Sequence, residues 1–247
     1  MALFEARDLH LRFGDRVVLE NISLSFEAGR LAGIMGPNGA GKTTCFNVLT
    51  GRYKPDRGRV LFDGADITGR SPQAIARLGI ARSFQLMNLF DEFTAFENVA
   101  IALPETRARG GNALGQAYGD AALVAEAHRV LDTVGLAGRA DDIAGTLPYG
   151  ERRALEIAVA LACRPRLLFL DEPTAGLGSD GRARLAELVR RLKGQVTLVM
   201  IEHDMEFLFS LADDISVIHW GQVIAQGSPA ELRTNPWVKN SNLGRFA

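Results

Sequence analysis

Eight consecutive residues carry the pattern G-x-x-x-x-G-K-[ST], which is typical of loops that bind nucleotide phosphates. The loop with the residue that follows it reads Gly36, Pro37, Asn38, Gly39, Ala40, Gly41, Lys42, Thr43, Thr44. Glycines let successive backbone N–H groups turn toward one anion, and a helix that begins there adds positive potential. In this pattern the Lys42 ammonium reaches the β- and γ-phosphates, and the Thr43 hydroxyl is a ligand for Mg²⁺. The loop therefore predicts a site for a nucleoside triphosphate with magnesium.

The flanking sequence supplies the elements that such a loop needs. The apolar run Leu31–Met35 predicts a buried strand before the loop, and Cys45–Thr50 predicts a helix after it that ends at Gly51. An ordinary glycine-rich turn is the alternative. The complete pattern, in the order strand, loop and helix, favours phosphate binding.

A pair of acidic residues follows another apolar run. Leu167–Leu170 is short and entirely apolar, which is typical of a strand buried on both faces. Asp171 and Glu172 come next, at the strand end where α/β sheets bind ligands. There Asp171 can hold Mg²⁺ through a water, and Glu172 can deprotonate a water that attacks the γ-phosphate. A solvated acidic pair is the alternative, and the phosphate loop favours the catalytic interpretation.

The elements that must position these residues alternate between strands and helices. Leu9–Phe13 and Ile22–Phe26 alternate apolar and polar residues, as half-buried antiparallel strands do. Helical signals then dominate from about residue 86 to residue 164. We therefore predict an α/β P-loop NTPase core with a mainly parallel sheet, an N-terminal antiparallel β-subdomain and an inserted α-helical subdomain. The core comprises residues 1–85 and 165–247, the helical subdomain comprises residues 86–164, and both belong to one domain, 1–247.

Within the helical block and after it, local signals predict individual helices. Ala121–Val134 and Arg152–Cys163 have helical patterns, and Ser179 is placed to cap a helix that runs to Lys193. Glu105–Asp120 is rich in glycine, alanine and arginine, so we expect a flexible connection there.

Composition restricts the classes of partner. The chain has 28 Lys and Arg against 29 Asp and Glu, so charge gives no general case for binding nucleic acid. Its apolar runs fall far short of the ~20 residues that span a bilayer, and the first residues lack a signal-peptide pattern. We therefore expect any link to a membrane to pass through another protein. Cys45 and Cys163 lie in apolar helical stretches and are expected to be small buried residues rather than a disulfide.

The order of these motifs resembles that of nucleotide-binding subunits of ABC transporters, over nearly the whole chain. Gln85 after a strand, a signature before a helix, Asp171-Glu172-Pro173-Thr174 and a strand-end His203 complete that order. Within the family, the sequence is most similar to the branched-chain amino acid uptake class. That similarity rests on Arg82–Gln85, Leu147–Ala158, Ile201–Met205 and Asn242–Gly244.

The resemblance implies an ATPase in which two subunits clamp ATP and Mg²⁺ between them. It implies that Phe13 stacks on the adenine, which needs only a π-face. It also implies that Gln85 touches Mg²⁺ or the lytic water and that His203 senses the γ-phosphate, beside Lys42 and Glu172. The signature residues Tyr149, Gly150 and Glu151 would complete the ATP site of the partner subunit.

The chain departs from the usual family pattern in two places. The common signature is Leu-Ser-Gly-Gly-Gln, whereas Pro148, Tyr149 and Glu151 replace its Ser, first Gly and Gln. Proline offers a phosphate neither a hydroxyl nor a backbone N–H, so we expect fewer direct donors. Gly178 stands where many members have Asp or Asn, so we expect no signalling across the dimer interface through a side chain at this position.

The resemblance also implies partners: transmembrane permease subunits, a second ATPase subunit that is identical or different, and a substrate-binding protein indirectly. It places the chain on the cytoplasmic face of the inner membrane, with no nucleic acid partner. Two alternatives keep the ATPase, namely an exporter of lipid or lipopolysaccharide, suggested by Glu151-Arg152-Arg153, and a urea or amide transporter. A third is a soluble ATPase acting on DNA or ribosomes, but such chains usually carry two cassettes, a coiled-coil arm or zinc-binding cysteines.

Overall fold

The computed structural model describes residues 2–83, 88–108, 113–236 and 238. The strands are β1 (Ala2–Phe13), β2 (Arg16–Glu27), β3 (Leu31–Met35), β4 (Arg57–Phe62), β5 (Ala65–Asp66), β6 (Ile80–Arg82), β7 (Leu167–Asp171), β8 (Thr197–Ile201), β9 (Asp214–His219) and β10 (Gln222–Gly227). The helices are α1 (Lys42–Leu49), α2 (Pro72–Arg77), α3 (Ala95–Ala100), α4 (Pro104–Arg107), α5 (Ala113–Tyr118), α6 (Ala121–Thr133), α7 (Tyr149–Ala162), α8 (Ser179–Leu192), α9 (Met205–Leu211) and α10 (Pro229–Thr234). The chain forms two compact units, one of Met1–Ile80 with Arg190–Ala247 and the other of Ala81–Val189.

The first unit contains the predicted antiparallel sheet. β1 pairs with β2 on one side and with β4 on the other, both antiparallel, and β4 pairs with β5. The predicted strands at 9–13 and 22–26 are confirmed and are parts of longer ones. One face of this sheet is aromatic, since the ring centroid of Phe4 lies 5.9 Å from that of Phe26 and 6.4 Å from that of Phe62.

The same unit contains parallel pairs around a central buried strand. β3 pairs in parallel with both β8 and β9, and β10 joins β9 as an antiparallel hairpin. Every residue of β3 and of β8 is buried, and for β3 the apolar run Leu31–Met35 predicted this. The predicted mixture of a mainly parallel sheet with an antiparallel subdomain is confirmed.

The second unit combines a strand pair with helices. β6 runs beside β7, where the Ser83 N–H donates to the carbonyl of Phe169 at 2.8 Å. α3 packs against α6 and α7, and Thr94 and Glu97 form a capping box at its N-terminus. Asp120 caps α6 by accepting hydrogen bonds from the N–H groups of Ala122 and Leu123. In the part of the chain that the structure describes, no helix combines the length and the apolar character needed to cross a bilayer.

Two predictions for these helices were wrong. The expected flexible connection at 105–120 is helical at α4 and α5, and residues 109–112 lie outside the described residues. Tertiary packing explains this difference, because Ala117 is fully buried and the ring centroid of Tyr118 lies 5.0 Å from that of Phe96. α8 begins with Ser179 itself rather than after it, and the carbonyl of Gly178 accepts the N–H of Arg182 at 3.0 Å.

The start of α7 was also predicted too late. The helix begins at Tyr149, three residues before the predicted start at Arg152. Pro148 is its N-cap residue, and the Pro148 carbonyl accepts the N–H groups of Glu151 and Arg152, each at 2.9 Å. The first turn of this helix therefore consists of the signature residues themselves.

Candidate functional site

The phosphate loop lies between β3 and α1 in the first unit. Gly41 is the N-cap of α1 and has a φ of 100°, a left-handed conformation that suits glycine. The N-terminus of a helix presents backbone N–H groups and the positive end of the helix dipole. The exposed Thr43 lies in this first turn, so the loop and the turn together can bind an anion.

Close backbone contacts fix the shape of the loop. A Cβ atom on Gly36 would lie 2.0 Å from the carbonyl oxygen of Ile218, and one on Gly221 would lie 2.3 Å from that of Val18. The Gly221 N–H donates to the carbonyl of Ala40 at 2.9 Å, which ties the turn of the β9–β10 hairpin to the loop. The loop is therefore packed against backbone on several sides, with no room for a side chain at these positions.

Lys42 is the buried cation of the loop. Its side chain is 6% exposed, and its Nζ donates to the carbonyls of Gly36 at 2.8 Å and Pro37 at 3.0 Å. Charge-assisted hydrogen bonds of this kind offset the cost of burying an ammonium group. The positive charge is thus held beside the first residues of the loop, where it can attract a bound phosphate.

The end of a neighbouring strand brings His203 to the same sheet edge. In the parallel pairing of β3 with β8, Ile34 is paired with Ile201, the last residue of β8. The next residue continues this pairing, since the Glu202 N–H donates to the Ile34 carbonyl at 3.3 Å. His203 is exposed in the turn between β8 and α9. The first unit therefore brings the phosphate loop and His203 together at the C-terminal edge of its parallel strands.

Phe13 is an exposed aromatic residue at the end of β1. It is 50% exposed, and its ring makes a T-shaped contact with the ring of Tyr53 at a centroid distance of 5.4 Å. Since half of its surface is open, Phe13 is not a core residue. Its stacking on adenine stays a prediction.

The second unit holds Asp171 as the last residue of β7. Asp171 is 1% exposed, its Oδ2 accepts a hydrogen bond from Arg82 at 2.8 Å, and its Oδ1 is buried with no hydrogen-bond partner among the described residues. Burial raises the pKa of Asp171, whereas the charge and hydrogen bond of Arg82 act in the opposite direction. A buried carboxylate oxygen without a partner fits a ligand of Mg²⁺ or of a water bound to it.

Glu172 follows in a strained backbone conformation. Its φ is 44°, in the left-handed region, which costs about 1–3 kcal/mol for such a residue. The buried Arg153 donates to the carbonyls of Asp171 at 3.2 Å and Glu172 at 3.1 Å, and it pairs with Glu156 at 2.6 Å. Strain of this kind persists where the surroundings hold it, and it occurs often at active sites.

The signature residues form the first turn of α7. The Tyr149 hydroxyl donates to the carbonyl of Ala175 at 3.0 Å, and the Glu151 carboxylate forms an ion pair with Arg139 at 3.2 Å. A Cβ atom on Gly150 would meet only Leu177, at an ordinary 3.7 Å. Glu151 therefore brings a paired negative charge to a helix N-terminus, whereas the usual glutamine is neutral.

Some predicted site residues lie outside the described part of the chain, and two arginines of the site had no predicted role. Gln85, predicted to contact Mg²⁺ or the lytic water, and the terminal Asn242–Gly244 lie outside the described residues. Sequence reasoning gave no role to Arg82 or Arg153, because each acts through a partner that is distant along the chain. The roles predicted for Lys42, Thr43, Asp171, Glu172, His203 and residues 149–151 stay predictions.

Comparisons with known proteins agree on one family. The sequence profile of the family described as ABC transporter matches residues 19–175. A protein of Pseudomonas aeruginosa named high-affinity branched-chain amino acid transport ATP-binding protein BraF is 39% identical, with 98% of each chain covered. The protein of Escherichia coli K12 named high-affinity branched-chain amino acid transport ATP-binding protein LivG is 37% identical over the same shares.

Solved structures with the same architecture carry related descriptions. The ADP conformation of MJ1267, an ATP-binding cassette of an ABC transporter, has a TM-score of 0.86 at 30% identity, and the comparison covers 99% of this chain and 100% of that one. A nucleotide-free ATP-binding cassette from an ABC transporter has a TM-score of 0.84 at 30% identity, with the same coverage. The likeness therefore extends over nearly the full length of this chain in sequence and in fold.

Proposed function

Because the chain belongs to the ABC transporter family, as an ATP-binding cassette, we propose that it is the ATP-hydrolysing subunit of an importer for branched-chain or related amino acids. The observation that carries nucleotide binding is the phosphate loop with the buried Lys42 at its carbonyls. The cargo rests on the names of relatives that match over almost their whole length.

The proposed mechanism assigns separate tasks to the residues of each unit. Loop N–H groups and Lys42 bind and orient the phosphates, and Phe13 stacks on the base. Glu172 accepts a proton from the attacking water, and His203 donates a hydrogen bond to the γ-phosphate. Thr43, Asp171 and Gln85 are the residues that would hold Mg²⁺, which neutralises charge on the β- and γ-phosphates when bound.

The proposal also concerns partners and place. Tyr149, Gly150 and Glu151 would face nucleotide bound by a second ATPase subunit, and the helical subdomain at residues 86–164 would transmit the motion of clamping to a permease. A substrate-binding protein would act indirectly, on the far side of the membrane. We therefore propose that the chain lies on the cytoplasmic face of the inner membrane.

Phosphate release from Mg-ATP by the purified full chain tests the enzymatic part. The wild type is expected to hydrolyse ATP, and Lys42→Ala is expected to lower kcat at least about 100-fold, since a charge that stabilises the transition state is lost. Lys54→Ala, which removes an exposed lysine, is the matched control and is expected to keep the wild-type rate. If Lys42→Ala turns over ATP at the wild-type rate, the proposed site is wrong.

The cargo is tested in cells that lack the gene for this chain. Uptake of radiolabelled leucine is expected to fall in those cells and to return when the wild-type chain, but not Lys42→Ala, is supplied. Labelled urea, supplied in parallel, distinguishes the related class of amide transporter. Loss of urea uptake with unchanged leucine uptake would contradict the proposed cargo and leave the ATPase assignment intact.

A further inference from the structure

One face of α7 holds the backbone that follows β7. Tyr149 and Arg153 lie four residues apart and therefore on the same face of the helix. Arg153 donates to the carbonyls of Asp171 and Glu172, at 3.2 and 3.1 Å, and Tyr149 donates to the carbonyl of Ala175 at 3.0 Å. The helix thus binds the backbone at the start of the turn, at Asp171 and Glu172, and again at Ala175.

The ring of Tyr149 also fills the space next to Gly176. A Cβ atom on Gly176 would lie 2.9 Å from Cε1 and 3.0 Å from Cζ of Tyr149, and Gly176 has a φ of 75°. The loop therefore depends on the absence of a side chain at Gly176 and on the presence of the ring at Tyr149. Where the signature has its usual glycine, no side chain is present to make either contact.

The contacts of Tyr149 support the conformation of Glu172. The Ala175 N–H donates to the carbonyl of Glu172 at 3.1 Å, so the residue that Tyr149 holds closes a turn back onto Glu172. Glu172 has its strained φ of 44° inside this turn. A strained residue keeps its conformation only while its surroundings hold it, and Tyr149 and Arg153 are two such restraints.

We propose that Tyr149 is a positioning residue for Glu172, acting through the turn from Glu172 to Gly176. This inference rests on the proposed function, in which Glu172 is the general base. Tyr149 is also the first residue of α7, whose N-terminus is proposed to face nucleotide on the partner subunit.

The kinetic test separates positioning from binding. Tyr149→Ala is expected to lower kcat for ATP about 10-fold or more while the KM changes less than about 2-fold, because a misplaced base slows chemistry more than it weakens binding. Tyr149→Phe keeps the ring beside Gly176 but loses the hydrogen bond to Ala175, so its kcat is expected to lie between those of Tyr149→Ala and the wild type. Tyr118→Phe removes a hydroxyl that bonds to Glu97 elsewhere in the unit and is expected to change nothing. A wild-type kcat for Tyr149→Ala overturns the proposal.

A double-mutant cycle tests the contact with Gly176. Gly176→Ala is expected to lower kcat, since its methyl group collides with the ring of Tyr149, and Gly138→Ala, which meets nothing within 4 Å, is the control. In Gly176→Ala with Tyr149→Ala the collision is absent, so the combined loss is expected to be at least about 5-fold smaller than the product of the single losses. Losses that multiply overturn the proposed contact.

Hydrogen exchange provides a readout that needs no nucleotide. The amides of Ala175 and Leu177 are hydrogen-bonded within the turn, at 3.1 and 3.0 Å, and are expected to exchange at least about 10-fold faster in Tyr149→Ala, with α7 unchanged. Unchanged exchange at these two amides overturns the proposal. If the wild type fails to hydrolyse ATP, the proposed function fails, while this measurement still decides whether Tyr149 restrains the turn.

Discussion

The guanidinium of Arg82 lies 2.8 Å from Oδ2 of Asp171, and the two side chains are only 12% and 1% exposed. Arg82 ends β6, three residues before Gln85, and Asp171 ends the neighbouring β7. The pair leaves Oδ1 of Asp171 buried without a hydrogen-bond partner among the described residues. One oxygen of the carboxylate is thus held by Arg82, whereas the other keeps its capacity to accept a bond.

Removal of Arg82 is expected to destabilise the chain. Arg82→Met leaves the Asp171 carboxylate buried without its cation, and such losses cost about 3 kcal/mol in free energy of unfolding. Urea denaturation at pH 8 measures this cost, with Arg59→Met, at an exposed arginine, as the control. Asp171→Asn in the Arg82→Met background is expected to recover part of the loss. A stability of Arg82→Met within about 0.5 kcal/mol of the wild type would show that the pair contributes little.

Two glycines with positive φ offer a matched comparison. Gly14 (φ 58°) has open space around it, whereas a Cβ atom on Gly221 (φ 75°) would lie 2.3 Å from the carbonyl of Val18. Gly14→Ala is expected to cost about 1 kcal/mol, from backbone strain alone. Gly221→Ala is expected to cost about 3 kcal/mol, because strain and overpacking both act. Its Kd for ATP should also rise, since Gly221 is hydrogen-bonded to the phosphate loop at Ala40.

Equal effects of these two substitutions on urea denaturation would argue against close packing of the loop on the hairpin. So would a Gly221→Ala variant that binds ATP with wild-type affinity. Gly14→Ala is the reference for both measurements, because it carries the same backbone penalty without the collision.

Cys45 predicts a dependence of stability on alkaline pH. Burial raises the pKa of its thiol from 9.0 to about 12. Between these values the unfolded chain loses a proton that the folded chain retains, so stability falls as pH rises, by up to about 1.4 kcal/mol per unit. The wild type is expected to be more stable than Cys45→Ala at pH 8, and this difference is expected to shrink by about 2 kcal/mol by pH 10.5. A difference that stays constant over this range would contradict the burial of the thiol.

Local features of the fold were predictable because neighbouring residues determine them. The pattern of glycines and lysine places the loop between β3 and α1 whatever surrounds it. Ser71 caps α2 by accepting the N–H of Ala74 at 3.3 Å, and Ser228 and Glu231 form a capping box at the start of α10. Each of these depends on residues within a few positions of each other.

Contacts between residues that are distant along the chain could not be predicted from the sequence. Arg82 and Asp171 are 89 positions apart, and Tyr149 and Ala175 are 26 apart, so no local pattern signals their pairing. The prediction of a flexible connection at α5 is wrong because glycine and alanine content says nothing of the burial of Ala117. The positions of such groups follow from packing, which periodicity and propensity do not report.

The measurement that tests the central claim most directly is phosphate release from Mg-ATP by Glu172→Gln. Removal of the general base is expected to lower kcat at least about 100-fold, whereas the Kd for ATP changes less than about 3-fold and a dimer accumulates with ATP bound. Glu92→Gln, at an exposed glutamate, is expected to match the wild type. A Glu172→Gln variant that turns over ATP at the wild-type rate would contradict the account.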